Sequence, residues 1–578
     1  MIENIKSECG NTVLSQAKSL EYGDYQDADL NLYPESSDAV IASNISFKIG
    51  QNNDLNPVEV AENIASSIST SELEHVSEVV STGPYINFHP SEEWMEKTTD
   101  YFGSVKGENI LDIDKNKVSV EHTSVNPTGP IHIGRFRNSV LGDTLSNLLE
   151  YVGHNVTRQY YVNDAGLQVA MLTWGYNQFD EADLPAPNCG SDACDLVRYY
   201  RKASDSLSKD GLKHVQQNGE SEQYKSESEV ISILQGMENG DEDVQEMVTE
   251  VVEPMLNSQV SSLEEFGITF DEFTFESEYL NTEELSGLID DLKGLEQSVK
   301  SDGAWCVKID EDSMFVFQRS NGTTLYGTRD ILYHIDKFSR FDETTLVLGE
   351  DQEYQAQNVQ KCLNLLGSST DDHTVVHHAF VETPEGGMST RQGEGDFLYE
   401  VFKKTYENAK KAIDNDSIGD QEAVAEKTTV GSLRYNILSK KRQQLTTFDA
   451  GQAVDVNART GPSVQYAYAR LNGIIEQVDQ DISLDSFTVS EQEEINLIYK
   501  LSEYPVVLQE AIDDNEPQEI AVYLQQLQQA INKFYNSCPV TSAENEDIMS
   551  TRVKLVESTI RVFGDCLEIL GIPKIEEM

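Results

Sequence analysis

Basic residues, long apolar runs and cysteines are all in short supply in this chain, and each shortage narrows what it is. Lys and Arg total 42 against 101 Asp and Glu in 578 residues, a formal net charge of −59. The acids are spread from end to end instead of gathered in a tail, so the charge belongs to the whole surface and not to an acidic appendage. Such a surface repels itself at ordinary ionic strength, whereas at about 1 M salt the Debye length shrinks to roughly 3 Å and most of the repulsion goes. The composition reads as adaptation to a salt-rich cytoplasm. The competing reading, an acidic face for cations or a basic partner, predicts local carboxylate clusters. No run approaches the roughly 18 apolar residues of a membrane span, and the opening MIENIKSECG has no apolar signal region, so a cytoplasmic protein without membrane contact is expected. Seven cysteines at irregular spacing suggest a reducing compartment and no disulfide framework. Cys189 and Cys194 form a C-x4-C pair with no second pair nearby, which reads as two incidental thiols and not as zinc ligands.

What is present is enough to fold. The hydrophobic share is 38%, lean but globular, and the length suggests roughly three or four domains. Residues 1–105 read as a small α+β domain, with VVSTGPYINF as strand, turn and strand. In NKVSVEHT, Val118, Val120 and His122 alternate with polar neighbours, which predicts a strand. Val140, Leu141, Leu145, Leu148, Leu149 and Val152 then recur at helical spacing up to Gly153, and VTRQYYV follows as the next strand. Strand, loop, helix and strand make a βαβ unit, the building block of a parallel sheet. The stretch 180–300 holds 29 acidic residues against 8 basic and reads as a solvated, mostly helical insertion. Sheet-like sequence resumes with AWCVKI, MFVFQRS, an Asn321-Gly322 hairpin turn, TTLVLG and HTVVHHAFV; beyond about 400 the pattern is helical. No internal repeat or long low-complexity linker is visible.

Two loops carry the chemistry. SVNPTGPIHIGRFR, ahead of the first helix of the βαβ unit, exposes unpaired N–H groups at a positive helix end, a place that attracts phosphate. Gly134 admits a close ligand, His132 can donate to phosphoryl oxygens, and Arg135 and Arg137 add positive charge. A plain surface turn is the bland alternative. Neither a Walker lysine loop nor a GxGxxG fingerprint is present there, which disfavours P-loop NTPases and ordinary Rossmann dehydrogenases. The second loop, GGMSTRQGEG at 386–395, is glycine-rich and hydroxyl-bearing. Ser389, Thr390 and Arg391 on it could clamp a triphosphate after binding.

Together the two loops resemble the paired signatures of class I aminoacyl-tRNA synthetases, usually written HIGH and KMSKS. More narrowly the chain resembles the arginyl-tRNA synthetases, on VEHTSVNPTGPIHIGRFRNSVLGD (120–143), YYVNDAGLQ (160–168), LYGTRDILYHIDKF (325–338), LGEDQEYQAQ (348–357), GMSTRQG (387–393), GPSVQYAYARL (461–471) and the ending LEILGIPKIEEM. Arg135 takes the fourth position of HIGH, and Gly387 and Thr390 stand where KMSKS has lysines, so Arg391 or Arg135 must supply that charge. The resemblance implies an α/β plus all-α fold: an N-terminal α+β domain (1–105) touching the outer corner of tRNA, a Rossmann-like doubly wound catalytic domain (106–400), a helical connection (401–460) and a helical anticodon-binding domain (461–578). It implies ATP, with Mg²⁺ carried on its phosphates, held by Thr128, Gly129, Pro130, His132, Gly134, Arg135, Met388 and Ser389, with His132, Gly134, Arg135, Ser389, Thr390 and Arg391 as the catalytic set. Arginine is expected on Glu121, Ser124, Asn126, Tyr326, Asp330 and Gln352, because a planar guanidinium needs carboxylates and in-plane acceptors.

The tRNA is a polyanion, so local charge matters more than the total. Residues 428–471 hold six bases, Arg434, Lys440, Lys441, Arg442, Arg459 and Arg470, against Asp449 and Asp455. With Tyr466 among them they form the expected tRNA footprint, the alternative being a charged helix face. The expected activity is ATP-dependent ligation of arginine to tRNA through an arginyl adenylate, by a monomer that activates arginine only with tRNA bound. A non-catalytic tRNA-binding relative and a sister synthetase for another amino acid remain as alternatives.

Overall fold

The computed structural model describes residues 2–32, 41–187, 190–219, 221–310, 313–320, 322–382, 397–413, 420–478, 484 and 486–578. At the N-terminus, helices Ile2–Ser19, Ile45–Asn53 and Pro57–Ser67 cover a four-stranded antiparallel sheet of Leu30–Leu32, Ile41–Ser43, Tyr85–Pro90 and Val76–Thr82. Ile5, Val13, Ile41, Ile64 and Phe88 fill the space between them. The expected hairpin is there, turning at Gly83 with φ of 58°.

The βαβ unit forms as the alternation predicts: strand β1 (Lys117–Glu121), helix α1 (Ile133–Tyr151) and strand β2 (Asn155–Val162). With β3 (Glu272–Phe275), β4 (Glu343–Gly349) and β5 (His373–His378) they build an all-parallel sheet in the order β5-β4-β1-β2-β3. That is the doubly wound Rossmann order, and its reversal point lies between β1 and β4, where such sheets open a crevice beyond their C-terminal strand ends. Helix α1 lies hard against the strand it follows: a Cβ on Gly142 would sit 2.1 Å from the His122 Cβ.

Residue 272 onward departs from the expected insertion. Helices Leu167–Gln178, Asp192–Ser206, Lys209–Asn218, Lys225–Asn239 and Glu242–Glu264 do form an acidic helical lobe, with its own core of Trp174, Tyr200, Val230, Val251 and Met255. The chain then re-enters the sheet as β3, inside the stretch read as insertion, with Phe273 5.7 Å from the Tyr160 ring. Cys194, on this lobe, is disulfide-bonded, against the expectation of incidental thiols. Next come helix Glu283–Gly294 and an antiparallel meander of Ser298–Ser301, Ala304–Lys308 and Met314–Gln318. Their Leu288, Val307 and Phe317 pack with Ile331 of helix α2 (Tyr326–Arg340) and Leu363 of helix α3 (Glu353–Leu365). The turn after the meander closes with a Gln318–Thr324 bridge, and Asn321 lies outside the described residues.

Helices α4 (Leu398–Ala412) and α5 (Gln421–Leu438) lead to α6 (Gly461–Ile475) and, among the described residues, four further helices, the last of them α7 (Glu546–Ile569). The C-terminal half is tied back to the sheet along one face of α1. Asp143 meets Arg434, Asn147 donates to the Ile569 carbonyl at 3.3 Å, and the Tyr151 hydroxyl donates to Asp565 at 2.8 Å. Their i, i+4, i+8 spacing puts all three on one stripe of the helix.

Candidate active site

The chain leaves β1 at Glu121 through Thr123 and Ser124, both at positive φ (69° and 41°), a strained turn for residues with a Cβ. It is held from three sides. The Thr123 amide donates to Asn138 of α1, the Tyr161 amide of β2 donates to the Ser124 hydroxyl at 3.0 Å, and Ser124 donates to Glu121 at 3.1 Å. Asn126 donates to Gln168 at 3.1 Å. The loop then reaches His132, the N-cap of α1, whose Nδ1 accepts the Gly134 amide at 3.2 Å. A ring nitrogen that accepts has no hydrogen, so the neutral imidazole carries its proton on Nε2 and that atom is a donor.

Glu121, Ser124, Asn126, Thr128, Gly129, Pro130, His132 and Arg135 line one cavity of about 990 Å³, and Tyr326, Asp330 and Gln352 line the same cavity. Residues 200 positions apart in sequence therefore share one wall, because β1 and β4 are neighbours and α2 feeds β4. Gly134 is buried in the first turn of α1. Met388, Ser389, Thr390 and Arg391, the expected second loop, lie outside the described residues.

Inside the cavity the carboxylates have different partners. Glu121 pairs with Lys337, whose side chain is fully buried and whose Nζ lies 4.2 Å from the Tyr333 ring. Glu276 pairs with Arg329 at 2.6 Å, both buried. Asp330 takes part in no ion pair among the described residues; it accepts the Gln355 side-chain amide at 3.1 Å, and Gln355 in turn accepts the Tyr326 hydroxyl. Burial, then the nearby Glu276 and Glu121 carboxylates, push the Asp330 carboxyl up to about 7, with Arg329 and the Gln355 bond opposing. His334 and His373, on the same lining, are held neutral: burial takes them down to about 3 and about 2.

Gln355 was not among the expected residues. Gln352 lines the cavity but sits in the 3-10 turn ahead of α3; one helical turn later Gln355 bonds both Tyr326 and Asp330. Arg137 also corrects the expectation. It adds no charge to the phosphate-facing loop, because its buried guanidinium donates to the Ala379, Lys441 and Gln444 carbonyls at 3.0, 2.8 and 2.7 Å. Arg135 stays on the cavity wall, 3.5 Å from Asp351.

The expected tRNA footprint divides. Lys440, Lys441 and Arg459 are exposed, Tyr466 is 43% exposed, and the Arg470 guanidinium lies 3.5 Å from the Tyr535 ring centroid. Arg442 is paired with Glu516 at 3.0 Å. Arg434 is withdrawn from the footprint: it is 0% exposed and donates to the Leu570 and Phe266 carbonyls and to Asp143, so no phosphate can reach it.

Comparison with known proteins places this geometry. The family model for the class I (R) tRNA synthetase catalytic domain matches residues 104–450, the DALR anticodon binding domain 464–578, and the arginyl tRNA synthetase N-terminal domain 3–89. An arginine–tRNA ligase of Haloarcula marismortui is 38% identical over 560 residues, covering 95% of each chain, and one of Halorubrum lacusprofundi is 33% identical over the full length of both. The arginyl-tRNA synthetase of Thermus thermophilus shares the fold, with a TM-score of 0.78 at 21% identity over 99% of both chains.

Proposed function

The chain belongs to the class I arginyl-tRNA synthetases, and on that premise we propose how its cavity works. It is an arginine–tRNA ligase, and its reaction is the ATP-dependent joining of arginine to tRNA. The working division of the chain is residues 1–105, 106–400, 401–460 and 461–578.

Arginine enters with its guanidinium against Asp330, Tyr326 and Gln355. The ionised Asp330 accepts two parallel N–H bonds, which a lysine ammonium cannot match in plane. Glu121, Ser124 and Asn126 hold the amino-acid head, and Lys337 fixes Glu121 in place. ATP lies over Thr128, Gly129 and Pro130 against the N-terminus of α1. The arginine carboxylate attacks the α-phosphorus, pyrophosphate leaves, and arginyl adenylate remains. As charge builds on the phosphoryl oxygens, the His132 Nε2–H and the positive N-terminal end of the α1 dipole meet it, and Arg135 adds a cation. Ser389, Thr390 and Arg391 act on the triphosphate, and Arg391 or Arg135 replaces the lysines missing at 387 and 390. Mg²⁺ travels with the ATP phosphates. The 2′-hydroxyl of the tRNA's terminal adenosine then attacks the carbonyl carbon and AMP leaves. Catalysis is positioning and charge stabilisation, with no covalent enzyme intermediate. Lys440, Lys441, Arg459, Tyr466 and Arg470 contact the tRNA. The protein acts as a monomer in a salt-rich cytoplasm.

The observation that carries this reading is that one cavity joins the helix end at His132 to the Asp330–Gln355–Tyr326 set. Charging of tRNA with each of the twenty amino acids in molar KCl tests it. Arginine alone should be attached. Tight tRNA binding with nothing attached would mean a non-catalytic relative, and a different amino acid would mean a sister synthetase.

A further inference from the structure

The loop that leads to His132 is short of donors. In Val125-Asn-Pro-Thr-Gly-Pro130 the peptide groups Asn126–Pro127 and Gly129–Pro130 carry a carbonyl oxygen and no N–H, because proline lacks one. Val125, Asn126, Thr128, Gly129 and Pro130 all line the cavity. Carbonyl oxygens turned into that space would stand acceptor against acceptor with the phosphoryl oxygens of ATP.

The structure turns them the other way. Gln259, on the last helix of the acidic lobe (Glu242–Glu264), is fully buried, and its side-chain amide donates to the Asn126 carbonyl at 3.1 Å and to the Gly129 carbonyl at 2.7 Å. These are the two carbonyls that precede the prolines. The Tyr160 hydroxyl on β2 lies 3.0 Å from the Val125 carbonyl and 3.1 Å from the Gln259 Oε1, sharing its hydrogen between them. Tyr160 is fully buried too, its ring edge-on to Phe270 at 5.0 Å. Neither Gln259 nor Tyr160 lines the cavity, so the three carbonyls are drawn into the interior behind the loop. A flipped Gln259 amide would set its oxygen against both pre-proline carbonyls, so the network fixes its orientation.

Resting on the ligase reading above, we propose that Gln259, seconded by Tyr160, is a positioning residue for ATP: it keeps the acceptors of the loop at 125–130 turned away from the triphosphate. The cavity side of the loop is then left to Thr128 and to the positive end of α1. Gln259 touches no reacting atom and acts through the loop backbone. The acidic lobe, by this link, supports the ATP site from behind and is more than a solvated insertion.

The test uses two variants of the full chain. Gln259→Met keeps the length of the side chain but supplies no donor, and Tyr160→Phe removes only the hydroxyl. A carbonyl stripped of its buried donor turns toward solvent, which here means the cavity. Binding of ATP and of adenosine is measured by equilibrium dialysis in molar KCl. In Gln259→Met the Kd for ATP should rise about tenfold while that for adenosine stays within about twofold, because adenosine brings no phosphate to the misplaced oxygens. Tyr160→Phe should show the same contrast on a smaller scale, about threefold for ATP. Unchanged ATP affinity in both variants overturns the proposal. So does an equal loss of ATP and adenosine, which would mean that the two residues shape the loop without sorting its charge. If Gln259→Met does not fold, judged by thermal melting, the contrast in Tyr160→Phe decides by the same criteria. The contrast is read without turnover, so the ligase reading is judged separately: parent protein charging tRNA with arginine in the same buffer keeps that reading standing, and a parent that charges nothing fails it instead.

Discussion

Replacing Asp330 with Asn should raise the KM for arginine by about two orders of magnitude and also flatten its pH dependence. Asn keeps the size of the side chain and one acceptor oxygen but removes the charge proposed to meet the guanidinium. Losing one partner of a buried, hydrogen-bonded charge pair costs roughly 2–5 kcal/mol, and 1.4 kcal/mol is tenfold. The pH effect follows from the empty site, where burial and the Glu276 and Glu121 carboxylates hold the Asp330 carboxyl at about 7. Below that pH the unliganded carboxyl keeps its proton, and a guanidinium can bind only as the proton leaves. Arginine affinity is therefore full above pH 7 and falls as pH drops through it. With the group about 90% protonated at pH 6, the apparent KM there should be roughly tenfold its value at pH 8. Arginine KM at constant KCl between pH 6 and 8 measures both effects. Calorimetry in two buffers of different ionisation enthalpy should record proton release on binding near pH 6.5 in the parent and none in the Asn variant. The reasoning is refuted if Asp330→Asn leaves KM within threefold of the parent, or if the variant keeps the parent's acid-side rise.

His132 has two jobs that substitution can separate. His132→Asn keeps an N-cap acceptor for α1, so melting should stay within a degree or two of the parent, while kcat falls by about 10²–10³ for want of the Nε2 donor. Lys337→Met strands Glu121 in the interior at a cost of about 3–5 kcal/mol, so the melting temperature should fall by several degrees. Adding Glu121→Gln to that variant should recover much of the stability but not the arginine affinity. Arg434→Lys should lower the melting temperature and leave the salt slope of tRNA binding unchanged; a shallower slope with unchanged melting would return Arg434 to the tRNA footprint.

The βαβ unit was legible because its periodicities are clean: alternation over 117–121, helical spacing over 133–151, and a glycine at 153 with φ of 104° to end the helix. Strand β3 was not legible. Glu272-Phe-Thr-Phe275 is four residues long, and its two phenylalanines are outweighed by the surrounding acids; the parallel pairing to β2 that makes it a strand is invisible to a local window. The same limit explains Gln352 and Gln355. Both stand in one quoted motif, and only the start of α3 at Glu353 fixes which glutamine turns toward Asp330. Arg434 did carry a local signal. It follows Thr428-Thr-Val-Gly-Ser-Leu433, a run of small and apolar residues that suits a buried helix face better than a phosphate-binding one, and counting charges passed over it.

An acid-rich exterior poses a problem for a site that must bind a cation selectively, because every surface carboxylate is a rival for arginine's guanidinium. The cavity answers this by pairing. Glu121 is balanced by Lys337 and Glu276 by Arg329, in ion pairs whose side chains are 7% exposed or less, so neither is an unpaired charge that competes with Asp330 for the guanidinium. Asp330 is left with an amide donor and the field of those two carboxylates, so it is the group whose ionisation responds to a cation beside it. Surface carboxylates are screened within about 3 Å at molar salt, and buried ones are screened far less. Molar salt, the setting proposed for this chain, would thus suppress the rival surface sites and leave the cavity's electrostatics almost intact. It follows that the contrast between arginine and an uncharged isostere of it should hold as KCl rises, while nonspecific retention of arginine on the surface should fall away.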